Sequence, residues 1–159
     1  MHKVPGFVRG HLLLPLLAAV LVALLSACAS LAPDYSLEAY RNATTLKAES
    51  LALIAKAHEP YASHAREVEE LSTRIDAAYE FSAGLPRNAL SARQWAIMRS
   101  PDRNLYGGFV ARWREQGRVG AFFRDEARSQ IAEGFDYIIC LEANKQKATA
   151  CAVPTGVGS

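Results

Sequence analysis

Pro60 divides two long stretches of helical periodicity, and this break constrains the fold more than any other feature of the chain. Upstream of it, Tyr40, Ala43, Leu46, Ser50, Leu51, Leu53, Ile54 and Ala57 share one broad face of a 100° wheel. Thr45, Glu49, Ala52 and Lys56 lie opposite, the distribution of an amphipathic helix. Ser36 is suited to cap its start, and Glu38 in the first turn complements the helix dipole. Downstream, Tyr61, His64, Val68, Leu71, Ile75, Ala78 and Ser82 alternate in spacings of three and four, like a coiled-coil seam. Proline pushes the residue before it out of helical conformation, so the two runs cannot fuse. The pattern therefore predicts helices over about 36–58 and 61–83, folded back on each other as an antiparallel hairpin. Gly84, Leu85 and Pro86 supply the stop.

The remainder reads the same way. Ser91 with Gln94 suggests a capping box opening a short helix through Trp95, Ile97 and Met98. Ser100-Pro101 suggests the start of another, with Leu105, Phe109 and Trp113 at four-residue spacing and Gly117 closing it. Gly107-Gly108 interrupts that segment, by a kink or by close approach of a neighbour. A long helix follows over about 121–144, its stripe formed by Phe123, Ala127, Ile131, Gly134, Phe135, Ile138 and Leu141. Helices of this kind bury their stripes only against one another, so the expected class is all-α, a small helical bundle.

The N-terminus has a different character. Residues 1–10 carry Lys3 and Arg9 and no acid, and Leu12 to Leu25 form a run of 14 apolar residues that includes Pro15. That length suits the apolar core of an export signal and falls short of the ~20 residues that span a bilayer. Leu25-Ser26-Ala27-Cys28 directly after this run resembles the bacterial lipobox. The resemblance implies diacylglycerol on the sulfur of Cys28 and cleavage between Ala27 and Cys28, and it covers residues 1–28 alone. Each buried CH₂ contributes about 0.8 kcal/mol, so two or three acyl chains hold a protein firmly in a membrane. Ala29 follows the cysteine, where Asp would favour inner-membrane retention in Gram-negative bacteria; the implied address is the periplasmic face of the outer membrane.

The expected organisation is a signal peptide over 1–27, a lipidated tether over 28–34, a bundle over 35–145 and a loose tail over 146–159. Removing residues 1–27 from the 159-residue chain leaves 132, enough for one domain with a core. The full chain carries +2, and Lys3 and Arg9 leave with the signal, so the mature protein is neutral. That balance argues against nucleic acid as a partner.

Few residues suggest chemistry. His58, Glu59 and His64 cluster near Pro60, but the proline prevents the single helical face that an HExxH zinc site requires. No metal or cofactor is expected, and His64 is expected to be a buried, hydrogen-bonded ring. Lys47 breaks the apolar face of the first helix, so it snorkels outward, pairs with Asp76, Glu80 or Glu142, or contacts a ligand. Residues 87–128 hold nine arginines against four acids, interleaved with Trp95, Tyr106, Phe109, Trp113, Phe122 and Phe123. Forked guanidinium donors suit carboxylate and phosphate and stack on rings, which marks Arg103, Arg112 and Trp113 as candidate contacts for a ligand or partner. The acid-rich hairpin, with nine acids and five bases over residues 34–80, could equally satisfy those arginines. Cys140 and Cys151 could pair in an oxidising envelope. No nucleophile triad, phosphate loop or catalytic carboxylate pair stands out, so a non-enzyme is expected. The sequence thus favours a membrane-tethered structural or interaction module contacting an envelope protein or peptidoglycan. A binding module for a small, lipidic or anionic ligand is the alternative.

Overall fold

The computed structural model describes residues 34–145 and 150–151. The expected export signal, the expected lipobox with Ala27 and Cys28, and most of the expected tail lie outside the described residues. Within them the chain is all-α: α1 (Leu37–Ala55), α2 (Tyr61–Gly84), α3 (Ala89–Arg99), α4 (Tyr106–Gln116) and α5 (Ala121–Ala143). Among the described residues there is no strand, and no helix is long and apolar enough to cross a membrane.

Ser36 caps α1, its hydroxyl accepting the Ala39 amide at 3.2 Å. The chain leaves helical geometry at Lys56 and re-enters it directly after Pro60. Two ion pairs mark the register of the hairpin, Glu49–Arg74 at 2.5 Å and Lys56–Glu67 at 2.6 Å. A step of seven residues forward on α1 matches seven backward on α2, as antiparallel helices require. The α4–α5 connection docks on the hairpin turn through two backbone hydrogen bonds. Tyr61 N–H donates to Gly117 O at 2.7 Å and Val119 N–H to Ala57 O at 3.1 Å. Gly117 holds φ +73°, a conformation that a side chain would disfavour.

Helix α1 packs mainly on α5, α2 on α3 and α1, and α4 closes onto α2 and α3. The hairpin stripes supply Leu46, Leu53, Ile54, Val68, Leu71 and Ile75 to a core completed by Trp95, Met98, Phe109, Trp113, Ile131, Phe135 and Ile138. Burying a large apolar side chain contributes about 1.5–3 kcal/mol, so these residues dominate stability.

Two helix starts differ from the sequence pattern. Helix α3 opens at Ala89, after Asn88, and Ser91 is a buried residue inside it. Its hydroxyl instead accepts from Lys145 Nζ at 3.3 Å, so a tertiary contact replaces the expected capping box. Ser100-Pro101 opens no helix, and α4 begins at Tyr106. The glycine pair explains this. An added Cβ would lie 2.2 Å from Arg99 O at Gly107 and 1.8 Å from Arg103 O at Gly108. Residues 99–105 therefore fold across the first turn of α4, and close approach, rather than a kink, is the reason for Gly107-Gly108.

Cys140 and Cys151 form a disulfide that returns the chain to the end of α5. Cys151 is buried there against Tyr137 and Leu141.

Candidate functional site

The fold separates the residues that composition had grouped. Trp113 is fully buried and offers no contact to a partner, which corrects its place among the candidates. Its indole Nε1 donates to Glu59 O at 3.2 Å, and its ring meets Tyr61 edge-on at a centroid distance of 5.6 Å. The tryptophan thus fixes the hairpin turn. Lys47 pairs with Asp136 on α5 rather than with Asp76, Glu80 or Glu142, and it lines none of the pockets described below. The apolar face of α1 ends at that pair, which lies at the edge of the α1–α5 contact.

Arg103 and Arg112 do come together. Because Gly107 and Gly108 lack side chains, the 101–104 segment lies beside α4 and forms one wall of a groove whose other wall is α5. The groove measures about 380 Å³. Phe109 and Phe123 form its apolar floor, stacked at 6.0 Å with their planes 10° apart. The Arg112 guanidinium stands 4.2 Å above the Phe123 ring, a cation–π contact worth about 0.5–1 kcal/mol at an exposed site. Asp102 and Arg103 contribute from the loop and Glu126 from α5. Two arginines and two carboxylates thus line the groove around an aromatic floor. Glu126 accepts from Gln130 at 2.9 Å, which holds its carboxylate in place. One turn before Glu126 on α5, Phe122 is 87% exposed.

Four of the other seven arginines of this segment have structural contacts. Arg99 pairs with Asp76 at 2.9 Å and lies over the Tyr79 ring, and Arg87 stands 3.9 Å from Asp34. Arg114 donates to the Tyr61 hydroxyl at 2.9 Å and Arg124 to Asp125 at 2.8 Å. Complementarity with the acidic hairpin therefore accounts for some arginines, while Arg103 and Arg112 face the groove.

A smaller recess of about 150 Å³ lies beneath α4, bounded by Ser72, Asp76, Arg99 and Tyr106. Burial pushes the Tyr106 hydroxyl up to about 12, partly offset by its 3.4 Å contact with Ser72. A phenol held protonated in this way is a structural donor rather than a base.

His64, expected in the core, sits at its margin, with both ring nitrogens against carboxylates: Nε2 is 2.9 Å from Glu59 and Nδ1 3.3 Å from Glu67. The His64 bond, followed by the charges nearby, holds the Glu59 carboxyl below the usual range. Glu67 is lowered first by its bond from Lys56 and then by His64. The cluster clasps the hairpin turn. Among the described residues, no three His, Cys, Asp or Glu side chains are arranged to hold a metal ion.

Sequence reasoning missed a buried polar group. Glu142 and Lys145 are buried at the C-terminal end of α5, with Lys145 Nζ 2.6 Å from Glu142 Oε2. Lys145 also donates to Asn88 Oδ1 at 2.5 Å, and Asn88 Nδ2 donates to Ser82 O at 3.0 Å. This network ties the α2–α3 turn to the end of α5. Its signal lay in the spacing: Glu142 follows Phe135 and Ile138 by seven and four residues, and Lys145 follows Ile138 and Leu141 likewise.

Comparison with known protein families, characterised proteins and solved structures finds no match for this chain.

Proposed function

We propose that this chain is a lipoprotein of the cell envelope, anchored through Cys28 at the periplasmic face of the outer membrane, and that its bundle is a non-catalytic protein-interaction module. The lipobox pattern at residues 25–28 supports the anchor. The groove between α4 and α5 is the partner-facing surface, and the observation that carries this reading is its lining. Arg103 and Arg112 balance Asp102 and Glu126 over a Phe109–Phe123 floor, with Phe122 exposed beside it. A purely anionic ligand would meet two carboxylates there, whereas a polypeptide segment offers both charges and apolar side chains. Aromatic and arginine side chains are also the residue types that dominate protein interfaces.

Photo-crosslinkers placed at Arg103 and Phe122 in cells, with Thr73 on the exposed side of α2 as control, test the proposal. The expected result is a discrete protein adduct from 103 and 122, absent from 73 and lost when Arg112→Glu is added. No protein adduct from either groove position would overturn the reading. Cys28→Ala is expected to abolish fatty-acid labelling; retained labelling would overturn the anchor.

A further inference from the structure

Five large apolar side chains are exposed among the described residues: Tyr35, Leu37, Phe81, Leu90 and Phe122. Four of them lie at one end of the bundle. Tyr35 and Leu37 stand at the start of α1, flanking Ser36. Phe81 belongs to the last turns of α2 and shares a surface groove with Glu38 and Arg41 of α1. Leu90 is the second residue of α3, two positions after Asn88, whose side chain is bonded to Ser82 O. The Asp34–Arg87 pair joins the first described residue to the α2–α3 turn at this same end. Phe122 is at the opposite end, where the α4–α5 connection docks on the hairpin turn.

We infer that the end bearing Tyr35, Leu37, Phe81 and Leu90 rests on the phospholipid bilayer, its apolar side chains entering the interfacial layer. The inference depends on the anchor at Cys28 proposed above. Six residues, 28–33, separate that cysteine from Asp34. Fully extended they span roughly 20 Å, so Asp34, which its pair with Arg87 places at this end, cannot lie farther than that from a lipidated Cys28. Helix α1, with 19 residues, is itself about 28 Å long at 1.5 Å per residue. The tether is thus shorter than the hairpin, and the near end is the one that carries the exposed apolar residues. Leucine and aromatic side chains suit this setting, because tyrosine and its relatives place an apolar ring in the interface and a polar tip in water. Asp34 and Glu38 accompany Arg41 and Arg87 here, so the contact is apolar rather than electrostatic. The contact also turns the α4–α5 groove away from the lipid, into the space where a partner would be met.

The test uses the full mature lipoprotein in vesicles of phosphatidylethanolamine and phosphatidylglycerol. Leu37→Cys, Leu90→Cys and Phe122→Cys each add one thiol to a chain whose other cysteines are lipidated or disulfide-bonded. Each is labelled with an environment-sensitive fluorophore, and quenching is measured with lipids carrying a nitroxide near the headgroup. Intact mass first establishes acylation at Cys28, and circular dichroism establishes folding of each variant. Labels at 37 and 90 are expected to shift to the blue and to be quenched several-fold more than the label at 122, at low and high salt alike. Equal quenching at all three positions in acylated protein overturns the bilayer contact and leaves the anchor standing. Absence of acyl mass on Cys28 overturns the anchor and this inference with it. Quenching at 37 and 90 that disappears at high salt overturns the apolar contact.

Discussion

The carbonyl oxygen of Arg99 lies 2.2 Å from the point that a Cβ on Gly107 would occupy. The contact is backbone against backbone, so no side chain can move aside to relieve it. It holds the 99–105 segment across the start of α4 and thereby forms one wall of the α4–α5 groove.

Gly107→Ala is expected to cost about 1–3 kcal/mol or more, as overpacking of a close contact does. The measurement is the urea midpoint of the folded domain. Gly84 provides the contrast, since nothing stands within 4 Å of an added Cβ there. Gly84→Ala is expected to leave the midpoint unchanged or raise it slightly.

The buried Glu142–Lys145 pair is expected to behave asymmetrically. Glu142→Leu alone leaves the Lys145 ammonium without its counter-ion, at a cost of roughly 3–5 kcal/mol. Adding Lys145→Met removes the stranded charge and is expected to restore most of the loss. A double-mutant cycle from denaturant unfolding reads the coupling, and additive losses would contradict the pairing.

The Cys140–Cys151 disulfide closes a short loop, with a sequence separation of 11. Its removal by Cys151→Ala is expected to lower stability by about 2–3 kcal/mol, through freedom regained by the unfolded chain and loss of the Cys151 packing. A mass shift on alkylation only after reduction identifies the bond, and thermal unfolding with and without reductant measures its contribution.

Acid is expected to loosen the hairpin turn. The Glu59 and Glu67 carboxyls both titrate below their ordinary value of 4.5 in the folded protein. The unfolded chain therefore takes up protons on them at higher pH than the folded chain does. Their contribution is fully present above about 4.5 and is lost as the pH falls through the lowered folded values. The double variant Glu59→Gln, Glu67→Gln is expected to flatten this part of the stability profile. Unfolding midpoints measured across that pH range provide the check, and an unchanged slope would exclude the two carboxyls as its source.

Helix periodicity is a local property, and by itself it determined that this chain forms a hairpin broken at Pro60, a long C-terminal helix and an all-α bundle. The Ser36 cap and the buried stripe of α2 were legible for the same reason: each depends on residues within a turn or two of one another. Relationships across the fold had no such local signature. Lys47 finds Asp136 across 89 positions, Trp113 finds the Glu59 carbonyl across 54, and Lys145 finds Asn88 across 57. Composition placed Arg103, Arg112 and Trp113 in one group, yet α4 turns Trp113 inward and Arg112 outward, because adjacent helical residues point about 100° apart. Whether Gly107-Gly108 marked a kink or a close approach, and whether Glu142 faced solvent or core, depended on which chain segments packed beside them. Only the tertiary structure decided that, because burial and pairing belong to the space between helices.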